Sequence, residues 1–343
     1  MAISEKKQLE EKLKLTKEEK DWFSSPSSLP LLVSDSFFSL IDKDDVNDPI
    51  RKQVIPDIRE CSECDMMDPL AEVSHSITER FIHRYKNRGA LLTTDRCFTY
   101  CRHCFRRRFT ASSSGPIKDD ELKAICSYIK EHKEIEEILL TGGDMFTLSD
   151  EKLDHLLCSL KEAREDIILR LCTRAVATYP ERFTDKVMDI IKKYNYGAPF
   201  MLMVQFNHPR ELTAEAIKAV SKFVNMGIPA FNQSVLLKGV NDNVDTLAEL
   251  SHKLLYNRIK PYYLFQGDQV RGTAHLRTSV EEGLKLEQEL RKRLSGLEMP
   301  SYTIDLPEGG GKVILTHQYL IGKKNNHLEF STPDGQIRYY PES

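Results

Sequence analysis

Three cysteines fall within eight residues, at Cys97, Cys101 and Cys104, after the apolar run 89–94 and before the basic stretch 105–109. Thiolates are the usual protein ligands of iron–sulfur clusters, and three on one short loop can hold three irons of a four-iron cube while the fourth stays open to chemistry. Offsets of four and seven would also place the three side chains on the buried stripe of a helix. Against that, residues 89–94 read as a strand, and Tyr, Arg and His surround the cysteines in place of core formers. A second candidate is Lys312, which ends the stretch Asp305-Leu306-Pro307-Glu308-Gly309-Gly310-Gly311. Glycines permit unusual backbone geometry, and a lysine in a partly dry pocket can lose its proton and form a Schiff base. The alternative is an ordinary glycine turn ending in an exposed lysine. A phosphate-binding P-loop is excluded, because it requires glycine where Leu306 stands and Ser or Thr where Val313 stands.

These residues need a scaffold, and the pattern from Gly89 onward supplies one. Short apolar runs near 90–94, 137–141, 167–172, 199–205, 229–234 and 260–265 alternate with helical patterns near 118–131, 150–164, 181–194, 212–226 and 242–257. Such alternation predicts an α/β fold, a parallel sheet with right-handed crossovers, closed as an eight-fold barrel or left as a six-stranded partial barrel. Its chemistry belongs at the C-terminal ends of the strands. Polar residues recur there. Thr141-Gly142-Gly143-Asp144 follows the second strand, where glycines let a ligand approach, free N–H groups could bind a carboxylate and Asp144 offers an acceptor. Cys172-Thr173-Arg174 follows the third, Gln205-Phe206-Asn207-His208-Pro209 the fourth, and Asn232-Gln233-Ser234 lies at the fifth.

Residues 5–23 carry Leu9, Leu13 and Leu15 at partial helical spacing before a Ser/Pro-rich break at 24–30. The expected organisation is a helical N-terminal region over 1–80, a barrel over 81–300 and a C-terminal segment over 301–343 that carries Lys312. After a helix near 279–294 and an extended run at 301–305, the tail reads as a β-hairpin, with runs at 318–323, 327–332 and 336–340 about the turn Pro333-Asp334-Gly335.

Among 343 residues, 49 basic side chains face 52 acidic ones for a formal charge of −3, so no polyanion is indicated as partner. Eight cysteines without an apolar leader after Met1 read as a cytoplasmic thiol set and not a disulfide framework. No apolar stretch is long enough to cross a bilayer. Cys61 and Cys64 form a C-x2-C pair, but a zinc site needs two further ligands.

The C-x3-C-x2-C spacing resembles that of radical S-adenosylmethionine enzymes. Over about 68–312 the chain resembles the lysine 2,3-aminomutases, on the segments 101–109, 206–209, 232–242, 260–263 and 305–312. That resemblance implies a radical SAM partial (β/α)6 TIM-like barrel and an isomerase that converts L-lysine to β-lysine by amino migration. It implies three cofactors: a 4Fe-4S cluster, S-adenosylmethionine and pyridoxal 5′-phosphate. It also implies a homo-oligomer reduced by a flavodoxin- or ferredoxin-type donor. Carried over position by position, Cys97, Cys101 and Cys104 bind the cluster, while His103, Gly142, Gly143, Asp144, Arg174, Gln205, His208 and Gln233 face S-adenosylmethionine. Arg84, Tyr85 and Arg88 contact pyridoxal phosphate, and Lys312 is its Schiff-base lysine. Arg106 takes the substrate α-carboxylate, and Asp268 and Asp305 take its ε-ammonium. Two departures stand out: Gln205 occupies a position where family members commonly have His, and the C-terminal cysteines of a structural zinc site are missing, so no such zinc is expected. The resemblance leaves open a short aminomutase acting in elongation factor P modification, or one acting on another amino acid. A noncatalytic nucleic-acid module using residues 106–108 is opposed by the missing paired knuckles, aromatic platforms and basic excess.

Overall fold

The computed structural model describes residues 2–25, 29–62 and 65–342. Ten strands form one sheet: β1 (Ser76–Thr78), β2 (Phe81–Tyr85), β3 (Arg88–Thr94), β4 (Glu137–Gly142), β5 (Ile168–Thr173), β6 (Phe200–Val204), β7 (Ala230–Leu236), β8 (Ile259–Gln266), β9 (Ser301–Leu306) and β10 (Gly311–Ile314), in that spatial order. Strands β3 to β9 run parallel, whereas β1, β2 and β10 pair antiparallel at the two edges. The crossovers are helices α1 (Asp119–Glu131), α2 (Asp150–Ala163), α3 (Asp185–Tyr194), α4 (Ala214–Asn225), α5 (Val244–Tyr256) and α6 (Val280–Arg293). Five of them start on a side-chain cap, Ser149, Thr184, Thr213, Asn243 or Ser279, whose oxygen accepts a backbone N–H of the first turn. Each then turns an apolar stripe inward, as α3 does with Val187, Met188, Ile191 and Tyr194.

The sheet is rolled. Arg84 on β2 and Asp305 on β9 approach within 3.8 Å although six strands lie between them. A flat sheet at about 4.8 Å per strand would hold them over ~30 Å apart. The parallel register also climbs, with Leu202 opposite Ala230 and Tyr263 opposite Ser301, the stagger that strands acquire when a sheet curls.

The N-terminal region departs from a simple helical domain. Among the described residues it holds four short α-helices, Lys6–Glu10, Lys17–Trp22, Asp35–Phe38 and Pro49–Val54, and a strand pair, Ala2–Ile3 with Val33–Ser34. Ile3, Leu9, Trp22, Phe37 and Ile50 belong to the same apolar core as the sheet and its helices, so this region packs as part of one body. Strands β1 and β2 carry no clean period-two signal, and β10 is formed only because Glu308 (φ 56°) and Gly309 (φ 81°) fold the chain back. That reversal sets Lys312 opposite Asp305. The tail is a three-stranded antiparallel sheet and not a single hairpin: β11 (Leu320–Lys324), β12 (His327–Ser331) and β13 (Ile337–Pro341). Among the described residues no helix is long and apolar enough to cross a membrane.

Candidate active site

The cysteine loop leaves the end of β3 and is clamped by the N-terminal region. Fully buried Arg102 bonds the Glu60 carboxylate through Nε and Nη2 and donates to the Pro30 and Leu29 carbonyls at 2.9 and 3.0 Å. Arg107 reaches the same Glu60 at 2.6 Å and the Gly272 carbonyl at 2.7 Å. Backbone bonds from Tyr100 N–H to Leu32 O and from Arg102 N–H to Gln53 O, both 2.8 Å, complete the clamp. Burial, and then the neighbouring negative groups, push the Cys97 thiol well up, and burial raises Cys104 as well. Crowded thiols that resist ionising, as Cys97 and Cys104 do, fit a positively charged cluster that would neutralise them. No three His, Cys, Asp or Glu side chains among the described residues converge on a single metal ion; a four-iron cube instead asks for one thiolate per iron. Of the C-x2-C pair, Cys64 lies outside the described residues, and Cys61 is half-buried with its pKa raised chiefly by burial.

The glycine loop works differently from its expected role. Gly143 N–H donates to Thr94 O at 2.6 Å and Asp144 N–H to Arg96 O at 2.7 Å, so these groups hold the cysteine loop and are not free for a ligand carboxylate. A Cβ on Gly143 would lie 2.1 Å from Arg96 O, and one on Gly142 (φ +123°) 2.6 Å from Thr94 O. Close backbone approach is what requires glycine here. The Asp144 carboxylate is likewise engaged, accepting from the backbone N–H groups of Phe146, Arg174 and Ala175 at 3.1, 2.8 and 3.0 Å and from Thr173 Oγ1. It ties the end of β4 to the end of β5.

Beyond β5, Arg174 donates to Cys101 Sγ at 2.7 Å, to Gln53 Oε1 at 2.6 Å and to Glu211 Oε2 at 3.1 Å. The Gln205 and Asn207 side-chain amides stand 3.4 and 3.3 Å from His103 Nε2. Burial, with the Arg174 and Arg107 charges, holds this imidazole well below its ordinary pKa. His208 is turned elsewhere: its Nδ1 accepts from Arg210 N–H at 3.2 Å and caps the turn Pro209–Glu211.

Further down the rolled sheet the charges change. Arg88 stacks over the Tyr85 ring at 3.9 Å, while Arg84 Nε and Nη2 and Tyr85 Oη are buried with no partner among the described residues. Unpartnered buried donors beside a cavity are the mark of a site built for an anion. Lys312 Nζ pairs with Asp305 and lies 5.0 Å from the Phe265 ring centre. Asp268 is pushed up to about 7 by burial and, next, by the Asp305 charge. Arg106 is held by Glu72 and by Thr141 Oγ1, at 2.7 and 3.1 Å. Glu72, Gln53 and Glu211 were not legible in the sequence, since two of them sit in the irregular N-terminal region and none lies in a periodic pattern.

One cavity of about 430 Å3 runs through the site, and every residue to which the family resemblance assigned a role lines it except His208, whereas Asn207, Asn232 and Ser234 do not. Two family models match the chain, one described as Radical SAM superfamily over residues 91–250 and one as Lysine-2,3-aminomutase over residues 287–343. The L-lysine 2,3-aminomutase of Clostridium subterminale is 37% identical over 338 residues, 98% of this chain and 80% of that one. The chain belongs to the lysine 2,3-aminomutase family. It is therefore an aminomutase, an isomerase of the radical SAM superfamily, and that superfamily implies a 4Fe-4S cluster and S-adenosylmethionine. A putative L-lysine 2,3-aminomutase of Aquifex aeolicus is 38% identical across 97% of this aminomutase and 90% of its own length. A glutamate 2,3-aminomutase of Clostridioides difficile is 37% identical across 94% of this aminomutase and 76% of its own length, so relatives at equal distance act on different amino acids.

Proposed function

We propose that this aminomutase moves the α-amino group of L-lysine to Cβ, giving β-lysine, and that it uses pyridoxal phosphate beside its cluster and S-adenosylmethionine. The observation that carries the choice of lysine is the pair Asp268 and Asp305, both half-buried residues lining the cavity, with the Asp268 carboxyl pushed up to about 7 by burial first and by the Asp305 charge next. Two desolvated carboxylates repel each other and favour a cation between them. The ε-ammonium of lysine supplies one, whereas glutamate would add another carboxylate.

The unpartnered donors of Arg84 and Tyr85, with Arg88, suit a phosphate, and Lys312 is the amine placed to hold the aldehyde. Cys97, Cys101 and Cys104 would hold the cluster, with S-adenosylmethionine against Gly142, Gly143, Arg174, Gln205 and Gln233. When bound, these groups supply a hydrogen-abstracting radical and a conjugated ring that spreads unpaired spin. The chain's own part is geometric. Arg106 orients the substrate carboxylate, the two aspartates fix the far ammonium, and the rolled sheet, read as a partial (β/α)6 barrel, encloses Cβ away from water. A flavodoxin- or ferredoxin-type protein is the proposed electron source.

Anaerobic enzyme reconstituted with iron, sulfide and pyridoxal phosphate, then given S-adenosylmethionine, dithionite and either lysine or glutamate, should yield β-lysine. Asp268→Asn and Asp305→Asn should each lower kcat/KM for lysine at least about tenfold, the value of one charge-assisted hydrogen bond. A wild type that prefers glutamate would refute the choice of substrate.

A further inference from the structure

We propose that Glu72 is a positioning residue for the substrate carboxylate, gripping the Arg106 guanidinium from its side so that only its end-on edge is offered to the amino acid. The inference rests on the reading of Arg106 as the carboxylate seat.

Glu72 is buried and arrives on a strap that crosses between the loops of the two aspartates. Met66 N–H bonds Gln269 O at 3.1 Å and Arg271 N–H bonds Met66 O at 2.9 Å, beside Asp268; Glu308 N–H bonds Pro69 O at 3.1 Å, between Asp305 and Lys312. The Asp68 carboxylate accepts from Glu72 N–H at 3.1 Å and Val73 N–H at 2.9 Å, which fixes the turn carrying Glu72. The side chain therefore has little freedom. Its Oε1 accepts from Arg106 Nε at 2.9 Å and Nη2 at 2.7 Å, while Oε2 lies 3.2 Å from Nε and 3.5 Å from Arg108 Nη2.

A guanidinium has five N–H groups, one on Nε and two on each terminal nitrogen. Glu72 takes the Nε–H and one Nη2–H, and Thr141 Oγ1 takes one Nη1–H at 3.1 Å. One hydrogen remains on each terminal nitrogen. With Thr141 taking the Nη1–H on the Cδ side, that pair is the end-on edge and can seat one further carboxylate bidentately. Without Glu72 the side edge would compete as a second seat, and the amino acid would lose its single register relative to Asp268 and Asp305.

The test compares ligands with and without the α-carboxylate. At a pH of about 9, where Asp268 is ionised with or without the Glu72 charge, KM for lysine in Glu72→Gln should rise about tenfold, while the inhibition constant of 1,5-diaminopentane, which lacks the carboxylate, stays at its wild-type value and iron content is unchanged. Adding Glu72→Gln to Arg106→Lys should weaken lysine no further than Arg106→Lys alone, because both act through one fork. Glu72→Asp, which keeps the charge at shorter reach, should show the same selectivity at smaller size and serves if the Gln variant fails to assemble. Equal loss of lysine and diaminopentane, or additive losses in the double variant, would overturn the proposal. If glutamate proves the better substrate, the same comparison runs with glutamate and 4-aminobutyrate, so a wrong substrate and a wrong role for Glu72 are told apart.

Discussion

Lys312 Nζ sits on the Asp305 carboxylate, directly across the register that pairs β9 with β10. Asp268 lies close enough to feel both charges, Asp305 raising its pKa and Lys312 lowering it. Lys312 thus bears on both acids and Arg84 approaches Asp305 at 3.8 Å, while the Asp268 carboxylate makes no ion pair among the described residues.

The first prediction concerns Lys312. Borohydride reduction of enzyme loaded with pyridoxal phosphate, followed by peptide mapping, should place the label on Lys312. Lys312→Ala should lose that label and keep its iron. A label on another lysine would sink the assignment.

The second follows from Asp268, whose carboxyl is raised from 3.8 to about 7 by burial first and Asp305 next, with Glu72 adding to the rise and Lys312 and Arg106 opposing it. It must ionise to hold an ammonium. KM for lysine should therefore fall as pH rises from 6 towards 8, by up to about tenfold per unit below 7, and Asp268→Asn should flatten that profile. The stability sign is opposite to that of a salt-bridged acid. Between 3.8 and about 7 the folded chain holds more protons than the unfolded one, so stability declines as pH rises across that window and levels above it. Denaturant melts of wild type and Asp268→Asn across the window should converge at its acid end and diverge as pH rises; parallel curves would contradict the shifted carboxyl.

Gly143 supplies the third. With a Cβ placed 2.1 Å from Arg96 O, Gly143→Ala must displace the cysteine loop. Iron bound per chain after reconstitution should drop towards that of a variant with all three of Cys97, Cys101 and Cys104 replaced by Ala, while the far-ultraviolet circular dichroism is retained. Full iron loading would show that the loop tolerates the shift.

Glu60 supplies the fourth. It is the shared partner of two buried guanidiniums, Arg102 and Arg107. Glu60→Ala leaves both buried guanidiniums without their carboxylate and should cost about 3–5 kcal/mol in denaturant unfolding, whereas Glu79→Ala, at an exposed position, should stay within about 0.5 kcal/mol.

The strand–helix alternation was legible because the parallel strands are short apolar runs and five of the six crossover helices begin on a Ser, Thr or Asn cap; both are local properties of the chain. The cysteine spacing and the glycine-flanked Lys312 were legible for the same reason, since one loop or turn carries each. Glycines were readable as a need for close approach, but not what approaches: at Gly143 it is the Arg96 carbonyl. Contacts between distant segments have no such signature. Nothing in the neighbourhood of Glu72 announces Arg106, and nothing near Gln53 or Glu60 announces that the N-terminal region clamps the cysteine loop. Above all, the meeting of Arg84 with Asp305 depends on small twists and register offsets summed over six intervening strands. Local residue choice determined the strands and the reactive side chains; only the rolling of the whole sheet decided that they share one cavity.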